Sequence, residues 1–154
     1  MTDFLEPSSL LFVQRPAPVI PEHRILYKIT QVLLILKVAS RGEQSSLPRL
    51  HLFNWALKDS DRMSKLVTAS KTKRLDVLAW GFDPALAHAL RYAEADKLIA
   101  PRKASFGLSE RGDTLAIAVA ADPLSFPDAK LFLSTVGKAI TENMVETISK
   151  GWDY

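Results

Sequence analysis

The chain has 154 residues, 47% hydrophobic and 24% charged, with 20 Lys and Arg against 17 Asp and Glu. That length supports one substantial core and is short for two ordinary domains, while the absence of cysteine excludes disulfide stapling, thiol catalysis and thiolate metal sites and suits a reducing cytoplasm. A formal net charge of +3 fits either an anionic partner such as nucleic acid or an ordinary solvated surface, so its distribution matters more than its sum.

Residues 1–21 read as a Pro-rich arm. Pro7, Pro16, Pro18 and Pro21 favour extended backbone, and Leu10, Leu11, Phe12 and Val13 are too apolar for a tail left in water. The arm is expected to pack on its own domain or on a partner. Asp3, Glu6 and Pro7 deny Met1 to Leu11 the basic start and apolar run of a secretory leader. Residues 22–154 are expected to form a single helical domain.

From Glu22 to Ser40, Ile25, Leu26, Ile29, Val32, Leu33 and Leu36 recur at three- and four-residue spacing, and Leu34, Ile35 and Val38 widen the apolar face almost all round. This predicts a central, largely buried helix stopped near Gly42. Lys28 and Lys37 interrupt the run well below the ~20 apolar residues a membrane span requires. Ser46 is placed to cap a second helix carrying Leu50, Phe53 and Leu57, with Pro48 tolerated in its first turn. A third helix, starting near Ser60 or Asp61 and ending near Lys71, buries Met63, Leu66 and Val67. Leu78, Trp80 and Phe82 alternate between Arg74 and Phe82, suiting a short extended segment.

Asp83-Pro84 signals the start of a helix running to about Asp96, since Asp accepts from exposed backbone amides and Pro at the first helical position loses no hydrogen bond. Leu98 to Ala100 and Ala104 to Phe106 are expected as two short strands, with Pro101, Arg102 and Lys103 at the tip. Ser109 should cap a helix running toward Asp122, although Ile117 and Val119 also suit a strand. Ser125 to Asp128 matches a capping box for one long final helix ending near Gly151, with Phe132, Val136, Ile140, Met144 and Ile148 as its apolar stripe.

This order, mainly α with a small β-wing, resembles a winged-helix domain. Leu90 to Ile99 resembles the join between the helix at the recognition position and the first wing strand, and Leu108-Ser109-Glu110-Arg111-Gly112 resembles the phrase that closes the wing in many bacterial regulators. Asp96-Lys97 stands where such regulators usually carry Gly, which puts their tight turn in question here. Over about Pro18 to Gly151 the chain also resembles the middle components of bacterial ABC three-component systems. The matching pieces are the Pro-rich lead into Glu22 to Ser40, Leu50 to Leu57, Phe82-Asp83-Pro84 and Ile140 to Val145. The resemblance implies an accessory protein of an ABC- or SMC-like ATPase, working with a separate effector in a bacterial, anti-phage or anti-plasmid defence system.

Catalytic signatures are lacking. His23, His51 and His88 sit on different predicted elements without a shared motif, and the glycines are isolated, so no phosphate loop opens a helix. The carboxylate pairs Asp59/Asp61, Glu94/Asp96 and Glu142/Glu146 could hold a cation, but helix capping and solvated faces account for them more simply. No enzyme activity and no cofactor are expected. The candidate nucleic-acid contacts are Lys58, Arg62, Lys65, Lys71, Lys73 and Arg74, with Arg102 and Lys103 at the wing tip. The helix at the recognition position carries Ala85, Ala87, Ala89, Ala93 and Ala95, leaving His88 and Arg91 as the obvious base readers. Those alanines favour an adaptor approached closely by a protein partner over a transcription regulator. Leu11, Phe12, Phe132, Val136, Ile140, Met144 and Trp152 are the candidate partner contacts, unless the final helix simply packs against Glu22 to Ser40.

Overall fold

The structure, a computed structural model, describes residues 24–152; the arm, with Leu11 and Phe12, lies outside the described residues. Among the described residues, seven α-helices accompany a small three-stranded antiparallel sheet. Helix α1 (Ile25–Ala39) is the hub, packed against α2 (Leu47–Ala56), α4 (Pro84–Ala95), α5 (Glu110–Ala121) and α6 (Pro127–Val136). Its apolar residues wrap the helix rather than line one face, so Val32 to Leu36 are all buried. Each fully buried Leu or Ile there contributes about 2 kcal/mol to folding. Helix α3 (Ser60–Thr72) lies against α2 and α6, and α7 (Glu142–Ser149) against α2.

Strands β1 (Gln44–Ser45), β2 (Ile99–Arg102) and β3 (Ser105–Leu108) pair antiparallel in the order β1-β3-β2. The expected wing is β2-β3, with Ile99 opposite Leu108 and Arg102 opposite Ser105. Its third strand was not expected, because two residues are too few to show an alternation. Helix α3 stands between α2 and α4, and α4 runs directly into β2.

The turn from α4 into the wing explains the Ser-Glu-Arg-Gly phrase physically. Leu98 N–H donates to Ala93 O at 2.8 Å and Lys97 N–H to Glu94 O at 3.0 Å, the paired bonds of a left-handed helix terminus. Lys97 adopts φ 58°, so the tight turn is made without glycine, at a cost of about 1 kcal/mol. Ser109 Oγ donates to Lys97 O at 2.5 Å and accepts from Gly112 N–H at 3.0 Å, capping α5 while locking it to the turn. Gly112 completes the join, because a Cβ there would lie 1.9 Å from Leu98 O.

Arg49 holds the other side of the sheet. It is only 3% exposed, with Nε donating to Ile140 O at 2.8 Å, Nη1 to Ser40 Oγ at 2.8 Å and Ser45 Oγ at 3.3 Å, and Nη2 to Ala39 O. One guanidinium thereby ties the end of α1, strand β1 and the α6–α7 connection, with the Phe53 ring 4.7 Å beneath it. Burial lowers its pKa to about 10 against the opposing pull of Glu142, which leaves it charged at neutral pH.

Several expectations need correction. Helix α1 ends at Ser40, whose hydroxyl bonds back to Ile35 O, and Gly42 instead sits at φ 63° inside the short 3-10 turn Arg41–Glu43. The single final helix is two helices, parted where Gly137 takes φ 55°; Thr141 restarts the chain by accepting from Met144 N–H at 3.2 Å. No capping box forms at Ser125, because Phe126 turns into a left-handed conformation to stack on Tyr27 at 4.9 Å, while Ser125 Oγ donates to Asp122. Pro127 then starts α6. Between Arg74 and Phe82 the alternation misleads: Trp80 is buried, its Nε1 donating to Pro48 O at 2.9 Å, but Leu78 is 92% exposed and Val77 fills the core instead. This segment pairs with no strand. Ile117 and Val119 belong to α5, not to a strand.

Replacing Gly112 with Ala forces its methyl group into the Leu98 carbonyl, and the expected loss in urea denaturation is about 3 kcal/mol. An unchanged denaturation midpoint would show that the α4–β2 turn can step aside.

Candidate nucleic-acid interface

The predicted basic residues separate into engaged and free sets. Lys58 Nζ lies 2.9 Å from Asp83 Oδ2, where it serves a largely buried polar cluster. Lys28, 2% exposed on α1, reaches the same carboxylate oxygen at 3.3 Å and donates to Asn54 Oδ1 at 2.7 Å. Asn54 Nδ2 also donates to Asp83, whose other oxygen accepts from Ala85 N–H at 3.0 Å and so caps α4. Burial would push the Asp83 carboxyl up, but Lys58, Asn54, the Ala85 amide and Lys28 together hold it well below the usual carboxylate range. Arg62 is also occupied: its guanidinium stacks 4.9 Å over the Trp55 ring, donates to Trp55 O and approaches Asp59.

Lys65, Lys71, Lys73 and Arg74 are exposed and enter none of the ion pairs among the described residues. Lys73 ends α3 at φ 62°, and Lys65 and Arg74 line one groove along that helix. On the wing, Arg102 is exposed and its side chain lies across Gly107 of β3, where a Cβ would come within 2.7 Å of Nε. Lys103 faces a different neighbourhood, a cleft shared with Arg41 and Lys138. Helix α3 packs on α2 and α6 while the sheet packs on α1 and α4, so the two basic sets stand on separate supports. Arg41 and Lys138 escape sequence reading because they are isolated in the chain and only the fold gathers them.

Helix α4 requires a second correction. Ala89 and Ala93 are buried, letting α4 approach α1 closely, whereas His88, Arg91, Tyr92, Glu94 and Ala95 are exposed. Ala89 and Ala93 therefore serve the chain's own core, Ala85 and Ala87 are half-buried, and the solvent face of α4 is polar and mixed.

The predicted partner stripe is likewise turned inward. Phe132, Val136 and Ile140 are buried, with Phe132 6.2 Å from Phe53, and Met144 is half-buried against the core. Trp152 meets Trp80 edge-on at 4.7 Å. Covering α1 and α2 uses up this stripe. Among the described residues, the large apolar side chains most open to solvent are Leu78, Leu124, Leu26 and Leu131, each more than 70% exposed. Pattern misleads here, since Leu26 belongs to the apolar repeat of α1 and Leu78 to the alternation before Phe82, while Leu124 and Leu131 stand in no pattern the sequence singles out.

Among the described residues no catalytic constellation assembles around His51 or His88, and His23 lies outside them. His51 is 1% exposed, and its Nδ1 accepts from Asp83 N–H at 3.3 Å; His88 is exposed on α4. Asp59 caps α3, Asp96 pairs with Arg111 at 3.1 Å, and Glu142 accepts from Ser46 N–H at 2.9 Å. Among the described residues no group of three or more His, Asp or Glu is placed to hold a metal ion, and no helix is long and apolar enough to cross a membrane. No family model, curated protein or solved structure matches the chain.

Burial lowers the His51 pKa to about 4, with Asp83 opposing and Lys58 and Lys28 assisting. The unfolded chain, at about 6.5, takes the proton first, so stability is full above that pH and falls as the pH drops toward 4. The expected loss is about 2–3 kcal/mol, read as a falling urea midpoint. His51→Gln keeps an acceptor for the Asp83 amide and should flatten this part of the profile; an equally steep profile in the variant would assign the loss to other groups.

Proposed function

We propose that this chain is a non-enzymatic adaptor that meets nucleic acid through sequence-independent phosphate contacts and links protein partners. The observation that carries the reading is the set of exposed, unpaired cations at the wing and the end of α3, above all Arg102 laid across Gly107. A cation already positioned by the sheet loses little side-chain entropy on meeting a phosphate, and such contacts place a protein on a duplex without reading bases. Lys65, Lys71, Lys73 and Arg74 extend the same chemistry along α3, whereas Lys103 faces the cleft it shares with Arg41 and Lys138. Lys58 and Arg62 take no part, because they are spent inside the domain.

The protein partners come from the resemblance to middle components of ABC three-component systems: an ABC- or SMC-like ATPase and an effector, in bacterial defence in the cytoplasm. Leu78 and Leu124, at 92% and 89% exposure, are the side chains best placed to supply apolar anchors for them.

A second reading, a sequence-specific transcription regulator, draws support from the exposed His88, Arg91 and Tyr92 on α4, which precedes the wing. The two readings separate in one experiment. Fluorescence anisotropy with two unrelated duplexes should give equal affinities that fall together with salt. Each lost phosphate contact reduces the slope of log K against log salt by about 0.9, so Arg102→Ala should weaken both duplexes alike and lower the slope by about one contact. A preference of about a thousandfold for one duplex would establish the regulator instead. Co-purification with an ATPase encoded beside it tests the adaptor role directly, and a chain that purifies alone from cells expressing both would overturn it.

A further inference from the structure

A cleft of about 600 Å³ opens between the wing tip, the start of α2 and helix α7. Four cationic side chains line it, each from a different part of the chain: Arg41 from the 3-10 turn, Arg49 from α2, Lys103 from the wing and Lys138 from the α6–α7 connection. Arg41, Lys103 and Lys138 are exposed, and none of the four enters an ion pair among the described residues. Arg49 is satisfied by carbonyl and hydroxyl oxygens alone, so its charge is held in place without a carboxylate paired to it. Glu142 and Glu146 line the α7 side, and Glu142 is engaged by Ser46 N–H. The balance is four cations to two carboxylates in a partly enclosed space, where a low-dielectric wall concentrates the field on an anion.

We infer that this cleft binds a small phosphate-bearing ligand of mononucleotide size. Volume and lining both point there. A cleft of this size matches small-ligand pockets of roughly 300–1,000 Å³, which combine an apolar wall with a few placed polar groups, and Pro48 and Ala104 supply apolar surface beside the cations here. Arg49, 3% exposed and bonded to carbonyl and hydroxyl oxygens, lies behind the cleft wall and adds to its field, so the phosphate would be held by the exposed Arg41, Lys103 and Lys138. The phosphate chemistry is common to a free nucleotide and to the 5′-phosphate end of a nucleic acid strand. This site is separate from the duplex contacts at Arg102 and α3 and stands or falls without them.

The test is calorimetric titration of the full chain with ADP, adenosine, and a short single-stranded oligonucleotide carrying either a 5′-phosphate or a 5′-hydroxyl. ADP should bind at one per chain and adenosine should not. Arg41→Glu and Lys138→Glu, both at exposed positions, should each weaken ADP by about tenfold or more with unchanged thermal midpoints, while Glu146→Gln should tighten it. Neither Glu variant should alter duplex binding, and Arg102→Ala should leave ADP binding intact. Tighter binding of the 5′-phosphorylated strand than of ADP assigns the ligand to a strand end; the reverse order assigns it to a free nucleotide. Absence of saturation by both at millimolar concentration, or full affinity in both Glu variants, would overturn the inference.

Discussion

Everything about the position of α4 depends on burying an ammonium group. Lys28 projects from the most apolar helix of the chain and is 2% exposed, a placement that is unstable unless the charge is matched and hydrogen-bonded. Asp83 and Asn54 match it, and Asp83 is also the residue that caps α4. The requirement to neutralise α1 thus fixes where α4 begins. Removing Asp83 would take the matching carboxylate from Lys28 and uncap the helix together, so the two roles cannot be optimised apart. Lys58, recruited to the same carboxylate, is the surface-facing member of that cluster and for this reason is a poor phosphate ligand despite its exposed position.

The second buried cation divides the labour. Arg49 touches no carboxylate and instead collects oxygen atoms from the end of α1, from β1 and from the α6–α7 connection. A planar fork of five donors suits four scattered acceptors in a way a single ammonium could not. Lys28 therefore organises the α4 side of the hub helix, and Arg49 the sheet and the C-terminal helices. The cations that remain exposed at the wing and along α3 are those the core did not need.

Much of this fold was legible in the residues. Asp83-Pro84, Ser46 and Ser109 were read as helix starts from local chemistry alone, and each caps in the structure. The all-round apolar pattern of α1 announced a central helix, and it is central. What failed was whatever depended on contacts distant in sequence. Phe126 gives up a standard cap because Tyr27, about a hundred residues earlier, offers its ring; no local pattern encodes that trade. The break at Gly137 is hidden in the sequence by an apolar stripe that continues across it, with Phe132 and Val136 buried on α6, Ile140 buried in the connection and Met144 half-buried on α7. The candidate site divides in the same way. Basic residues could be found by composition, but whether each is free or already engaged is decided by Asp83, Trp55 and Gly107, which tertiary structure alone brings near.

The dependence of α1 on its neighbours has an implication for how the chain is made. Three of the helices that cover it, α4, α5 and α6, lie in the later part of the sequence. During synthesis, α1 to α3 leave the ribosome before α4, α5 and α6, so the faces of α1 that those later helices cover are bare at that stage. Nascent chains grow at about 5–20 residues per second, so this exposure lasts for several seconds at least. An emerging helix with Val32 to Leu36 uncovered is a natural client for a ribosome-associated chaperone, and the first half of this protein is expected to be insoluble when expressed without the second.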